Sequence, residues 1–167
     1  SPILYFHGGG FALTYASTHI ASMDWYANEL GCRVFMVDYR LMPKHVFPTG
    51  FNDCYDALVW LSSKAGMLGV NPEKIIVAGD SAGGAMAAAA AQRSKDENGP
   101  NIAGQLLIYP VTDSSCTTPS AKEMIKSARK EIYINTNYPL STFKRALSSA
   151  LRRDVRIIVF SFYQEFF

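Results

Sequence analysis

Hydrophobic positions along this 167-residue chain fall into short apolar runs separated by longer amphipathic stretches. Pro2-Ile3-Leu4-Tyr5-Phe6 reads as a strand. Thr18–Leu30 then places Ile20, Met23, Tyr26, Ala27 and Leu30 at helical spacing, and Gly31 stops the helix. Arg33–Asp38 is a second buried strand. Phe51–Leu68 is a long helix with Tyr55, Leu58, Val59 and Leu61 inside, and Asn71-Pro72-Glu73 turns the chain. Ile75-Ile76-Val77-Ala78 is a continuous apolar run that suits a strand buried on both faces. The alanine-rich segment Ala85–Ala91 has very high helix propensity. Ser94–Pro100 is a polar loop, and Gln105–Tyr109 is a fourth strand closed by Pro110. Strand and helix therefore alternate to about residue 113. That pattern predicts the α/β class: a mostly parallel sheet with helices on both faces.

The turn between the third strand and its helix carries chemistry. Gly79-Asp80-Ser81-Ala82-Gly83 matches G-x-S-x-G. A bare match is weak, but between a β run and a helix it describes a nucleophile elbow, with a serine on a strained turn. Gly79 and Gly83 let strand and helix approach closely. The Ala82 amide, at the first helical turn, can donate to a developing oxyanion. His7-Gly8-Gly9-Gly10-Phe11 follows the first strand at once. Three consecutive glycines carry an entropic cost. They are either a plain turn or a nest of amides converging on an anion. Beside an elbow, which supplies one amide, the nest is expected. Ligands of such sheets lie at the carboxyl ends of the strands, where both motifs fall.

Composition narrows the setting. No stretch approaches the roughly 18 uninterrupted apolar residues of a membrane span. The chain opens directly in a strand with no initiator Met, as the interior of a longer gene product would. Cys32, Cys54 and Cys116 are odd in number and lack metal-ligand spacing, so buried or free thiols in a reducing, cytoplasmic setting are expected. Residues 1–120 hold seven Lys/Arg and ten Asp/Glu, net −3, whereas 121–167 hold nine and four, net +5. The basic residues are scattered along helix-like stretches and match no recognition motif. A solvated face is preferred over a nucleic-acid surface.

HGGGF at His7–Phe11, DYRLMPKHVFP at Asp38–Pro48, GDSAGG at Gly79–Gly84 and YPVTD at Tyr109–Asp113 together resemble the hormone-sensitive-lipase family of α/β-hydrolases. The resemblance covers residues 1 to about 120. It implies a carboxylic-ester hydrolase (esterase or lipase) that needs no metal or organic cofactor and takes a small ester substrate. Ser81 resembles the acyl-forming nucleophile, and Gly9, Gly10 and Ala82 match the oxyanion-hole amides. Gly8 would shape that loop, His7 would anchor it, and Asp80 with the Arg40–Pro48 loop would support the site. Three positions depart from the pattern: Met42 where alanine is usual, Lys44 where glutamate is usual, and Ala85 where asparagine is common.

Half of the expected machinery is missing. In this fold the triad partners follow the serine, acid first and histidine last. His7, His19 and His45 all precede Ser81, so no triad histidine is found and the triad acid is unknown. Chain order also argues against His45 as a substitute base. Residues 1–119 therefore read as the amino-terminal part of a catalytic domain, and 120–167 as a divergent tail. Ser120–Lys130 and Ser141–Arg153 have helical patterns. Val155–Phe167 is either the sheet's next strand, with Glu165 near where the family carries its acid, or a truncated or frame-shifted segment. The second is preferred. Weak or absent activity and self-association through an unpaired sheet edge are expected. The rival reading is a non-catalytic ligand-binding protein, like the plant gibberellin receptors, which resemble the same family.

Overall fold

The computed structural model describes residues 1–112 and 119, together with the backbone of 131–136 and 156–161. The chain divides into two compact units, Ser1–Val111 and Thr112–Phe167.

The first unit is built on four parallel strands: β1 (Ile3–Phe6), β2 (Val34–Val37), β3 (Ile76–Asp80) and β4 (Gly104–Ile108). Their order across the sheet is β2-β1-β3-β4. Three helices connect them: α1 (Ser17–Leu30), α2 (Thr49–Ser63) and α3 (Ala82–Asp96). Side-chain alternation sorts β1 between two cores. Leu4 and Phe6 pack with Cys54, Tyr55, Leu58 and Leu61 of α2 and with Met86, Ala87 and Ala90 of α3. Ile3 and Tyr5 pack on the other face with Met23 of α1 and Ala78. Helices thus cover both faces, as the alternating pattern predicts. Each fully buried leucine of α2 contributes about 1.5–3 kcal/mol relative to exposure.

Several sequence expectations are corrected by position in the sheet. The residues of β2 are only half-buried, because β2 is an edge strand. On the other edge, Leu106 and Leu107 of β4 are each 38% exposed. In α1 only Met23 is buried; Ile20 and Leu30 face solvent despite their helical spacing. Val59 is likewise exposed, since the buried face of α2 runs through Tyr55, Leu58 and Leu61. That helix ends at Ser63 and leads into turns before Gly69, whose φ is +62°. In contrast, α3 continues through Ser94 to Asp96. Ser94 is buried, and its hydroxyl donates to the Pro100 carbonyl at 2.6 Å.

The second unit contains strands β5 (Glu131–Thr136) and β6 (Arg156–Ser161), paired in parallel from Glu131↔Arg156 to Thr136↔Ser161. Of the two readings of Val155–Phe167 the preferred one expected no sheet strand there; β6 lies within that run, and its partner is β5 in a two-stranded sheet rather than the four-stranded one. Sequence reasoning assigned no element to 131–136, although Ile132, Tyr133, Ile134 and Thr136 are all strand-favouring residues. The helices expected at 120–130 and 141–153 lie outside the described residues, as do Cys116 and Glu165.

Candidate active site

Strands β1 and β3 are neighbours in register, with Phe6 opposite Gly79. Their carboxyl ends therefore release the His7–Gly10 loop and Ser81 side by side. Ser81 sits at φ 51° and ψ −117°, a conformation that L-residues rarely adopt. It precedes α3 at the N-cap position, yet its hydroxyl makes no capping bond. An N-cap serine in the usual extended conformation would bond back to the helix. Here the backbone is fixed instead: the Ser81 amide donates to Ile108 O at 2.9 Å, and Ser81 O accepts from Val111 N at 3.0 Å and Ala85 N at 3.2 Å.

The glycines around Ser81 are there for space. A Cβ on Gly83 would overlap the Phe6 carbonyl and stand 2.7 Å from the His7 oxygen. One on Gly79 would overlap the Gly83 backbone, and one on Gly84 would stand 2.9 Å from Pro110 Cβ. The elbow is thus an intersection of three backbones, those of β1, β3 and α3.

The glycine loop is tied to the elbow through Asp80. The Gly8 amide donates to Asp80 Oδ1 at 2.8 Å, and Tyr5 Oη donates to the same oxygen at 2.9 Å. His19 Nε2 stands 3.4 Å from it. Gly9 (φ +128°) and Gly10 (φ +61°) take backbone conformations that only glycine adopts without strain. Among the described residues the amides of Gly9, Gly10 and Ala82 donate to no protein acceptor. The three expected oxyanion donors are therefore uncommitted.

His7 is fully buried and stacked on Tyr39, with ring centroids 4.3 Å apart. Its Nδ1–H donates to Gly8 O at 2.7 Å, while Tyr39 Oη donates to His7 O at 2.6 Å. Burial lowers the pKa of the imidazole, and among the described residues its Nε2 has no hydrogen-bond partner. Burial raises the pKa of the Tyr39 and Tyr5 phenols, which remain protonated donors. These contacts tie His7 to Gly8 and Tyr39. Neither His7 nor His45 bonds to Ser81; the described backbone partner of His45 is Leu41 O.

The Arg40–Pro48 loop lies against the glycine loop, with Met42 N donating to Phe11 O at 3.0 Å. It is pinned from behind by Arg40, whose guanidinium and amide all bond to Asp53 of α2 at 2.6–3.2 Å. That pairing holds the Asp53 carboxyl below its ordinary pKa. Of the three departures from the family pattern, Met42 is buried, Ala85 is half-buried on the first turn of α3, and Lys44 is exposed. Sequence reasoning missed Tyr5, His19 and Tyr39. Each is joined to the site by contacts across 32 to 75 residues, which no local motif reveals.

The sequence profile of the family described as the alpha/beta hydrolase fold matches residues 3–164. The chain belongs to that family. Within it, this α/β-hydrolase is of the hormone-sensitive-lipase and carboxylesterase type, and its curated relatives are carboxylesterases. It is similar to Carboxylesterase NlhH of Mycobacterium tuberculosis, with 42% identity over 121 residues, 72% of this chain and 38% of the relative. Ethyl acetate hydrolase of Pseudomonas putida is 37% identical over 123 residues, again 38% of that protein. Among solved structures, bacterial heroin esterase superposes with a TM-score of 0.69 at 28% identity, covering 96% of this chain and 65% of its own. The chain thus spans about two fifths of the length of these curated relatives. No described helix is long and apolar enough to cross a membrane.

Proposed function

We propose that this α/β-hydrolase carries the nucleophile and the oxyanion-binding half of a carboxylic-ester hydrolase. Ser81 attacks the ester carbonyl and becomes acylated as the alcohol leaves; water then releases the acid. The amides of Gly9, Gly10 and Ala82 hold the tetrahedral oxyanion. The observation that carries this reading is the strained Ser81 backbone, placed beside a glycine loop that is bonded to the preceding residue, Asp80. A small ester is the substrate class, by analogy with the carboxylesterase relatives.

The proton on Ser81 needs a base, and no histidine follows it in these 167 residues. Removing the base from a serine hydrolase costs on the order of a million-fold in turnover, leaving about a thousand-fold over water from the oxyanion hole and binding. The chain by itself is accordingly a weak or inactive esterase. The test is hydrolysis of a short-chain nitrophenyl ester beside a Ser81→Ala control. Turnover at the level of an intact esterase, lost in the control, would reveal a base within this chain. Turnover barely above the control is the expected outcome.

The position of all three histidines before Ser81 also favours a second reading, a non-catalytic pocket that binds a small carboxylate or ester. Tight, saturable binding without turnover would select it.

A further inference from the structure

Asp80 Oδ1 is where three segments meet. It accepts from Tyr5 Oη of β1 and from the Gly8 amide of the loop after it, and His19 Nε2 of α1 faces it at 3.4 Å. The His19 ring has its tautomer set for it. The Ala16 amide donates to Nδ1 at 2.9 Å, so the proton of the neutral ring sits on Nε2, the atom turned to the carboxylate. Local sequence explains why. Ala16 is the N-cap of α1 and has no side-chain acceptor of its own. Three residues on, His19 occupies the place where a capping box carries Glu or Gln. The ring satisfies the Ala16 amide with one nitrogen and presents the other to Asp80. Neighbouring His7 has the opposite tautomer, with its proton on Nδ1 and, among the described residues, no partner at Nε2.

We propose that His19 is a positioning residue for the glycine loop: its Nε2–H holds the Asp80 carboxylate in the orientation that grips the Gly8 amide, and so keeps Gly9 and Gly10 beside Ser81. The inference deepens the esterase reading and takes its catalytic meaning from it, but its test needs no turnover. Amide hydrogen exchange and histidine nitrogen spectra are measured on the full chain and on His19→Ala and His19→Gln. In the alanine variant the Gly8 amide is expected to exchange about five- to tenfold faster, as the carboxylate loses a partner. The central amides of α1, such as Met23, keep their protection. Glutamine can accept from Ala16 and donate to Asp80, and it restores Gly8. If His19 were only a helix cap, the first turn of α1 would loosen and Gly8 would not change; that result overturns the proposal. Should the alanine variant not fold, the unaltered chain decides. A proton on Nε2 of His19, with ring signals that respond to Asp80→Asn, supports the proposal, and a proton on Nδ1 overturns it. Ester hydrolysis that imidazole accelerates no more in the chain than in Ser81→Ala would refute the esterase reading and leave these readouts intact.

Discussion

Replacing Gly83 with alanine tests whether the elbow depends on the close approach of β1, β3 and α3. The new Cβ would overlap Phe6 O and stand 2.5 Å from the Phe6 carbonyl carbon, where two carbons ordinarily sit about 3.5–4.0 Å apart. Relief requires helix and strand to part by about 1 Å, because the atoms met are backbone and cannot rotate away. Overpacking of this kind costs about 1–3 kcal/mol or more, and a rigid obstacle puts this site at the upper end. Alanine's helix preference over glycine returns about 1 kcal/mol. A net loss of about 2 kcal/mol or more follows, a fall in Tm of about 8 °C for a folded unit of this size. Two controls isolate the cause. Gly66→Ala meets no atom within 4 Å and should melt like the parent chain. Gly10→Ala is equally open but has φ +61°, and should lose only about 1 kcal/mol. Thermal and urea unfolding of the four chains give the answer. A Gly83→Ala variant as stable as the Gly66→Ala control would refute the reasoning.

Three further outcomes follow from the same contacts. Tyr39→Phe strips the buried His7 carbonyl of its 2.6 Å donor and should cost about 1–3 kcal/mol in urea unfolding. His7 has a folded pKa below its unfolded value of about 6.5, so the unfolded chain binds the proton first. Stability is therefore full above about pH 6.5 and declines as pH falls below it, and this part of the decline should vanish in His7→Phe. Asp53 is depressed by Arg40, so its contribution is present above the unfolded carboxylate value of about 3.9 and is lost as pH falls through the folded value. Asp53→Asn should flatten the acid limb of the melting profile by a small amount, since the pair is partly solvated.

Much of this could be read before the fold was known, for a physical reason. The elbow is a local device in which strand, turn and helix are contiguous in sequence, so Ile75–Ala91 carries its own signature. The glycine loop was legible because three bare residues after a strand demand an explanation. What binds the two motifs together was not legible. Tyr5, Tyr39 and His19 read as an ordinary strand residue, a loop residue and a helix residue until the fold brings Tyr5 and His19 to Asp80 and Tyr39 to His7. Burial was misjudged where periodicity alone was used: Ile20, Leu30 and Val59 have helical spacing but are exposed. Edge strand β2 was misjudged likewise, because an apolar run does not record how many neighbours its strand will have.

The central claim is that Ser81 and its oxyanion donors are in place and lack only a base. Imidazole can supply one from solution. Nitrophenyl ester hydrolysis is therefore followed against imidazole concentration for the chain and for Ser81→Ala, the control giving the reaction of imidazole with the ester itself. The prediction is that imidazole accelerates the chain beyond the control, saturably in ester. Equal imidazole dependence in both folded chains would contradict it.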